Sequence, residues 1–202
     1  MCLFFISYPN ILKHGGVGGN SVQILELLTG SFILFFLFFR QELRLKSNCL
    51  TELPDDLGKL RRIKHMDVGM NQLNTLPSNM DGFELLESLD LQRNQLTNAC
   101  ITKKFERLIN LTSLNLTMNC FSIIPIHIGQ LKKLQELKFA ANDIWEIPDS
   151  LSAGPLQTTL LKLWLPNNKL SKIPLSVSLI SLSGVFCSEV HNSPVTFFGF
   201  WI

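Results

Sequence analysis

Leu111-Thr112-Ser113-Leu114-Asn115-Leu116-Thr117-Met118-Asn119-Cys120-Phe121-Ser122-Ile123-Ile124-Pro125 is the stretch whose reading decides the fold. Leu114 and Leu116 alternate with polar residues, as a short strand with one buried face requires. Asn119 follows at a fixed distance, and an Ile-Pro pair ends the stretch. The same spacing recurs on both sides. Asparagines after a Leu-x-Leu-like core stand at Asn48, Asn71, Asn94, Asn119, Asn142 and Asn168, at intervals of 23, 23, 25, 23 and 26 residues. Internal repetition at this period is the mark of stacked units, each too small to bury its own apolar face.

The unit reads L-x-x-L-x-L-x-x-N-x-L-x-x-L-P. Its second copy runs Ile63, Met66, Val68, Asn71, Leu73, Leu76, Pro77, and its fifth Leu134, Leu137, Phe139, Asn142, Ile144, Ile147, Pro148. The sixth runs Leu160, Leu163, Leu165, Asn168, Leu170, Ile173, Pro174, and the first has Arg40 in place of its opening leucine. The alternating leucines predict parallel strands stacked into a curved sheet, and six strands at ~4.8 Å spacing extend roughly 25–30 Å. An asparagine amide both donates and accepts, so a column of them turned inward can satisfy backbone groups that water cannot reach. The Leu-Pro pair predicts an extended return on the convex side, since proline fixes its own φ and pushes its predecessor out of the α region. The third copy lacks that pair. Ala99-Cys100 stands there, followed by Ile101, Phe105 and Leu108, which predicts a helical turn. Ser152-Ala153-Gly154-Pro155, inside the longest interval, predicts a loop bulging from the convex face.

This pattern is that of a leucine-rich repeat solenoid, an α/β fold with a curved parallel sheet on the concave face and an irregular or short helical convex side. Leu50-Thr51-Glu52-Leu53-Pro54-Asp55-Asp56-Leu57-Gly58-Lys59-Leu60 resembles the intracellular, Ras-group leucine-rich repeats of the Ras suppressor, the Shoc-type scaffolds, and Erbin and Scribble. The resemblance covers about two-thirds of the chain. It implies a protein-binding scaffold or adaptor in intracellular signalling, a cytoplasmic location, and a partner such as a small GTPase or a phosphatase. It carries over no partner-contacting residue.

Composition agrees with a soluble middle and two apolar ends. Of 202 residues, 17% are charged, against roughly 25% in an average soluble protein, and the deficit falls outside Arg40–Lys172. Net charge is +2. The basic runs Lys59/Arg61/Arg62/Lys64 and Lys132/Lys133 are short and interrupted by apolar residues, so nucleic acid is not an expected partner. The five cysteines are an odd number without a close pair, which favours free thiols in a reducing compartment. Cys49 and Cys120 each follow a repeat asparagine and are expected to be buried as small apolar residues.

The boundaries are then an apolar, non-repeat segment at 1–39, six repeats at 40–174, and an apolar tail or degenerate cap at 175–202. Gly15-Gly16-Val17-Gly18-Gly19 lacks the third glycine of a dinucleotide fingerprint and the Gly-Lys-Ser/Thr of a P-loop, and reads as a turn. Leu27 to Phe39 carries no charge but is thirteen residues long, short of the ~20 that span a bilayer as a helix. Three readings stand for it: a cap on the first repeat, a membrane contact through residues 21–39, or a segment that is not a natural part of the fold. Leu179 and Leu182 suggest the start of a seventh unit that Gly184 and Cys187 match poorly. The apolar ending Phe197-Phe198-Gly199-Phe200-Trp201-Ile202 is unlike the polar outer face of a capping repeat. The expectation is a truncated form of a longer protein or an imperfect gene model.

No Cys or His pair has metal-ligand spacing, no catalytic triad is legible, and no cofactor is expected. The sequons at Asn110 and Asn115 read as by-products of the leucine pattern. The expected site is the concave face. Residues between the strand leucines project there: Arg44, Asp67, Asp90, Asn115, Lys138 and Trp164, with Gln92 and Arg93 beside them. Exposed arginine and tryptophan are enriched where binding energy concentrates. The chain is thus expected to be a non-catalytic binding surface. The alternatives are a membrane-anchored or receptor-type repeat protein, and a fragment of a larger multidomain enzyme.

Overall fold

The computed structural model describes residues 39–151, 154–171 and 184–186. Seven three-residue strands form one parallel sheet in chain order: β1 (Glu42–Arg44), β2 (His65–Asp67), β3 (Ser88–Asp90), β4 (Ser113–Asn115), β5 (Glu136–Lys138), β6 (Lys162–Trp164) and β7 (Gly184–Phe186). The leucine pattern predicts six. The seventh lies in the stretch read as tail or degenerate cap, and its backbone continues the ladder with Val185 opposite Leu163. A parallel ladder is made of main-chain groups, so it does not need the leucine signature.

In β1 to β6 the middle residue points into the core, and its two neighbours point out. Leu43, Met66, Leu89, Leu114, Leu137 and Leu163 are buried in register. Four phenylalanines, Phe83, Phe105, Phe121 and Phe139, are fully buried where the pattern allows any large apolar residue. Phe121 and Phe139 meet edge to face at 5.3 Å, the arrangement that ring quadrupoles favour.

The asparagines form the expected ladder. Asn119 illustrates the unit: its Oδ1 accepts the Leu96 N–H at 3.0 Å, and its Nδ2 donates to Leu91 O at 3.0 Å and Leu116 O at 3.2 Å. Asn71, Asn94, Asn142 and Asn168 repeat both halves of this bonding with the unit before them. The residue before each ladder asparagine is left-handed: Ser47, Met70, Arg93, Met118, Ala141 and Asn167 have φ between 52° and 58°. That conformation turns the chain so that the asparagine enters the core. It also aims its own N–H at the next unit, as in Met118 N–H to Ala140 O at 2.8 Å.

The convex side is made of short 3₁₀ turns. The third copy carries two of them, Asn98–Cys100 and Lys103–Arg107, where a helical turn is expected. There the Asn98 side chain bonds Ser122 N–H at 3.0 Å and Ile123 O at 2.7 Å. In the next pair of units the equivalent job is done by a backbone bridge, Ile123 to Glu146. The bulging-loop expectation needs revision. Residues 152 and 153 lie outside the described residues, but Pro155 heads an α-helical turn, α1 (Leu156–Thr159), with Leu156 buried.

Cys49 and Cys120 are exposed, against the expectation of burial. Their successors Leu50 and Phe121 are fully buried. Alternation therefore turns each cysteine outward, and its place after the asparagine gives it no share of the core. The described cysteines, Cys49, Cys100 and Cys120, are free thiols. Cys2 and Cys187, His14 and His191, and the glycine run at 15–19 fall outside the described residues, as do the apolar ending and all of the expected membrane contact at 21–39 except Phe39.

Candidate functional site

The ladder brings outward side chains from six units into two straight rows. Strand register places Arg44, Asp67, Asp90, Asn115, Lys138 and Trp164 side by side in one row. Glu42, His65, Ser88, Ser113, Glu136 and Lys162 make the second. All of the first row except exposed Arg44 are half-buried, packed flank to flank on the sheet. Gln92 lies two residues past Asp90 at the end of the same face. Arg93 does not share the strand geometry. It sits in the left-handed turn beyond β3, exposed, with its Nε donating to Met118 Sδ at 3.1 Å.

Three first-row side chains are held by their own backbone. Asp67 Oδ1 accepts the Gly69 N–H at 3.1 Å, Asp90 Oδ1 the Gln92 N–H at 2.9 Å, and Asn115 Oδ1 the Thr117 N–H at 3.1 Å. Each is an Asx turn that ends its strand and fixes its side chain. Asp90 Oδ2 also accepts from Asn115 Nδ2 and Gln92 Nε2, each at 3.2 Å. The Asn115 amide is thus engaged at both ends, which fits the reading of its sequon as a by-product. Arg44 pairs with Glu42 at 2.6 Å and Lys138 with Glu136 at 3.2 Å, each between the two rows. The face therefore runs from an ion pair through a carboxylate-rich centre to Lys138, Lys162 and Trp164.

Repeat reasoning from the first row missed Ser88 and Ser113, although the register that placed Asp90 and Asn115 also places these two. Ser113 Oγ donates to Glu136 Oε2 at 3.4 Å. On the convex side Glu106 and His127 Nδ1 meet at 2.7 Å between successive turns, a contact no motif announces. Two carboxyls are held below their ordinary range. Asp55 accepts the Ser78 N–H at 2.6 Å, and the Lys64 ammonium stands 2.9 Å from Glu87. Among the described residues no group of three or more His, Cys, Asp or Glu is placed to hold a metal ion. None of the described helices is long and apolar enough to cross a membrane.

Parallel three-residue strands, 3₁₀ returns and an asparagine ladder define a solenoid of short α/β units. The chain is a leucine-rich repeat protein: leucine-rich repeat family models match residues 41–96 and 110–131. Neither model describes a catalytic domain. Mouse podocan is 31% identical over 157 residues, which is 74% of this chain and 24% of podocan. A leucine-rich repeat protein of Leptospira interrogans superposes with a TM-score of 0.66 at 33% identity, covering 72% of this chain and 37% of that one. The Arabidopsis receptor kinase HAESA, solved in complex with the peptide hormone IDA and the co-receptor SERK1, gives 0.61 at 32% identity, covering 72% of this chain and 25% of HAESA. The chain thus spans about a quarter of podocan. Leucine-rich repeats are in general protein-binding, and the matches do not single out the Ras-group subclass.

Proposed function

We propose that this chain is a non-catalytic adaptor that holds a protein partner on its concave face. The observation that carries this reading is the first row itself. Six half-exposed or exposed side chains stand in register, and its acids and amide are locked by Asx bonds to the backbone. Side chains ordered before binding lose little freedom when a partner arrives. The carboxylate-rich centre beside lysines and a tryptophan gives charge complementarity and an aromatic contact in one strip. Resemblance to the Ras-group repeats, together with free thiols at Cys49, Cys100 and Cys120, favours a cytoplasmic signalling partner such as a small GTPase or a phosphatase. HAESA, whose peptide-hormone complex shares the fold, favours a second reading in which the same strip receives an extended peptide.

The test is affinity capture with the wild type and an Asp90→Asn/Lys138→Glu variant. The asparagine amide still offers an acceptor to the Gln92 N–H, so folding is preserved while the charge pattern is changed. Partners held by the wild type and released by the variant would map to this face; retention of every partner would overturn it.

A further inference from the structure

We propose that the corner of the first repeat, built from Phe39, Arg40, Arg61 and Arg62, docks on anionic lipid headgroups. Phe39 is 59% exposed, and the Arg62 guanidinium lies over its ring at 5.4 Å. Arg61 and Arg62 are exposed and Arg40 half-buried. The neighbouring lysines are already neutralised, Lys59 by Asp56 at 2.8 Å and Lys64 by Glu87 at 2.9 Å. Among the described residues no carboxylate makes an ion pair with the three arginines.

An acidic protein would answer the charge of this corner, but the ring and the apolar run that leads to it in sequence favour a bilayer. The corner joins cation to aromatic, and in sequence it continues directly from the charge-free run 27–39, which ends in Phe35-Phe36-Leu37-Phe38-Phe39. A bilayer surface presents phosphate above hydrocarbon in that same order. Guanidinium groups bind phosphate oxygens bidentately, and an exposed phenyl beside them offers apolar surface for the headgroup–acyl boundary. One weak apolar contact holds a protein to a membrane only marginally. Combined with a basic patch it holds firmly. This surface lies at the edge of the first unit, apart from the concave strip, and the proposal stands independently of the strip's partner.

The experiment is flotation of the full chain with phosphatidylcholine vesicles, with and without phosphatidylserine. The wild type is expected to float with the phosphatidylserine vesicles at low salt and to be released at high salt. At roughly fivefold per arginine, Arg61→Ala/Arg62→Ala should lower the partition about 25-fold. Lys132→Ala/Lys133→Ala, which removes the same charge from a distant edge, should bind as the wild type does. Circular dichroism checks that both variants are folded. Equal partition onto vesicles without phosphatidylserine, an unchanged arginine variant, or an equal loss in the lysine variant would each overturn the proposal.

Discussion

Gly82 packs directly on the backbone of Gly58: a Cβ added to Gly82 would overlap the Gly58 carbonyl oxygen and lie 2.8 Å from its carbonyl carbon. The two glycines belong to successive 3₁₀ turns on the convex side, Asp55–Lys59 and Met80–Gly82. Gly154 stands against Gly129 in the same way, with its Cβ position 2.6 Å from the Gly129 carbonyl oxygen. Close stacking of these turns sets how near one unit comes to the next. Gly82→Ala should therefore cost about 1–3 kcal/mol by forcing rigid backbone apart. Gly69 is the comparison, because a Cβ there meets side chains and no backbone: Gln92 Cγ at 3.0 Å, Asp67 Oδ1 at 3.3 Å and Asp90 Oδ1 at 3.4 Å. Its alanine variant should cost less than Gly82→Ala, since side chains yield where backbone does not. Urea unfolding of the two variants decides the matter, and equal effects would refute the account.

The ladder predicts a large asymmetry between interior and edge asparagines. Asn119→Ala leaves the buried Leu96 N–H without its acceptor and takes one of two donors from Leu91 O and Leu116 O, which keep Asn94 Nδ2 and Asn142 Nδ2. At ~1–3 kcal/mol for the orphaned N–H, with the weakened carbonyl bonds added, the loss should be about 2–3 kcal/mol. Asn48 donates within its own unit to Leu45 O at 2.7 Å and is only half-buried. Its alanine variant should cost about 1 kcal/mol. Thermal melts of both, measured against the wild type, test the difference.

Leu116 is fully buried and is the second strand-core leucine of the fourth unit. Leu116→Ala should destabilise by ~2–5 kcal/mol through lost burial and an unfilled cavity. A near-zero effect in denaturant titration would reject the repeat register itself.

The left-handed column offers a gain. Ala141 has φ of 52°, a conformation costing an L-residue roughly 1–2 kcal/mol that glycine does not incur. Glycine loses part of this benefit through its freer unfolded chain. Ala141→Gly should still raise stability by about 0.5–1 kcal/mol, seen as a higher urea midpoint with an unchanged slope.

Acid should weaken two contacts between successive units, Asp55 with Ser78 and Glu87 with Lys64. The Asp55 and Glu87 carboxyls are depressed in the folded state, so they bind protons less readily there than in the unfolded chain. Their contribution is fully present above the ordinary carboxylate range near pH ~4 and is lost as pH falls through their lowered values. Asp55→Asn removes one of these groups and should flatten the stability–pH curve below about pH 4. A curve of wild-type steepness would show that Asp55 plays no part.

The strand core and the ladder were legible because Leu114, Leu116 and Asn119 recur at one period, and each recurrence fixes the orientation of the rest. The first row of the site followed from the same register, since a residue between two buried leucines has one direction left. What the period does not carry was missed. Met70, Arg93 and Met118 have no preference for positive φ, so the left-handed column is imposed by the fold on residues that do not announce it. Cys49 and Cys120 were placed by their asparagine neighbours, although alternation from Leu50 and Phe121 governs them. Gly58 and Gly82 look like ordinary turn glycines until the turns are stacked. β7 lacks the leucine signature because main-chain pairing alone extends the sheet.

Each ladder asparagine grips the unit before it only through main-chain N–H and C=O groups, which every residue but proline supplies in full. This part of the joint is therefore blind to side chains. A repeat transplanted from another protein of this kind meets the ladder at either seam if it brings its own asparagine, and it must also bring a convex turn that stacks as closely as Gly82 does on Gly58. With both supplied, the recognition strip can be edited one row at a time while the framework stays the same.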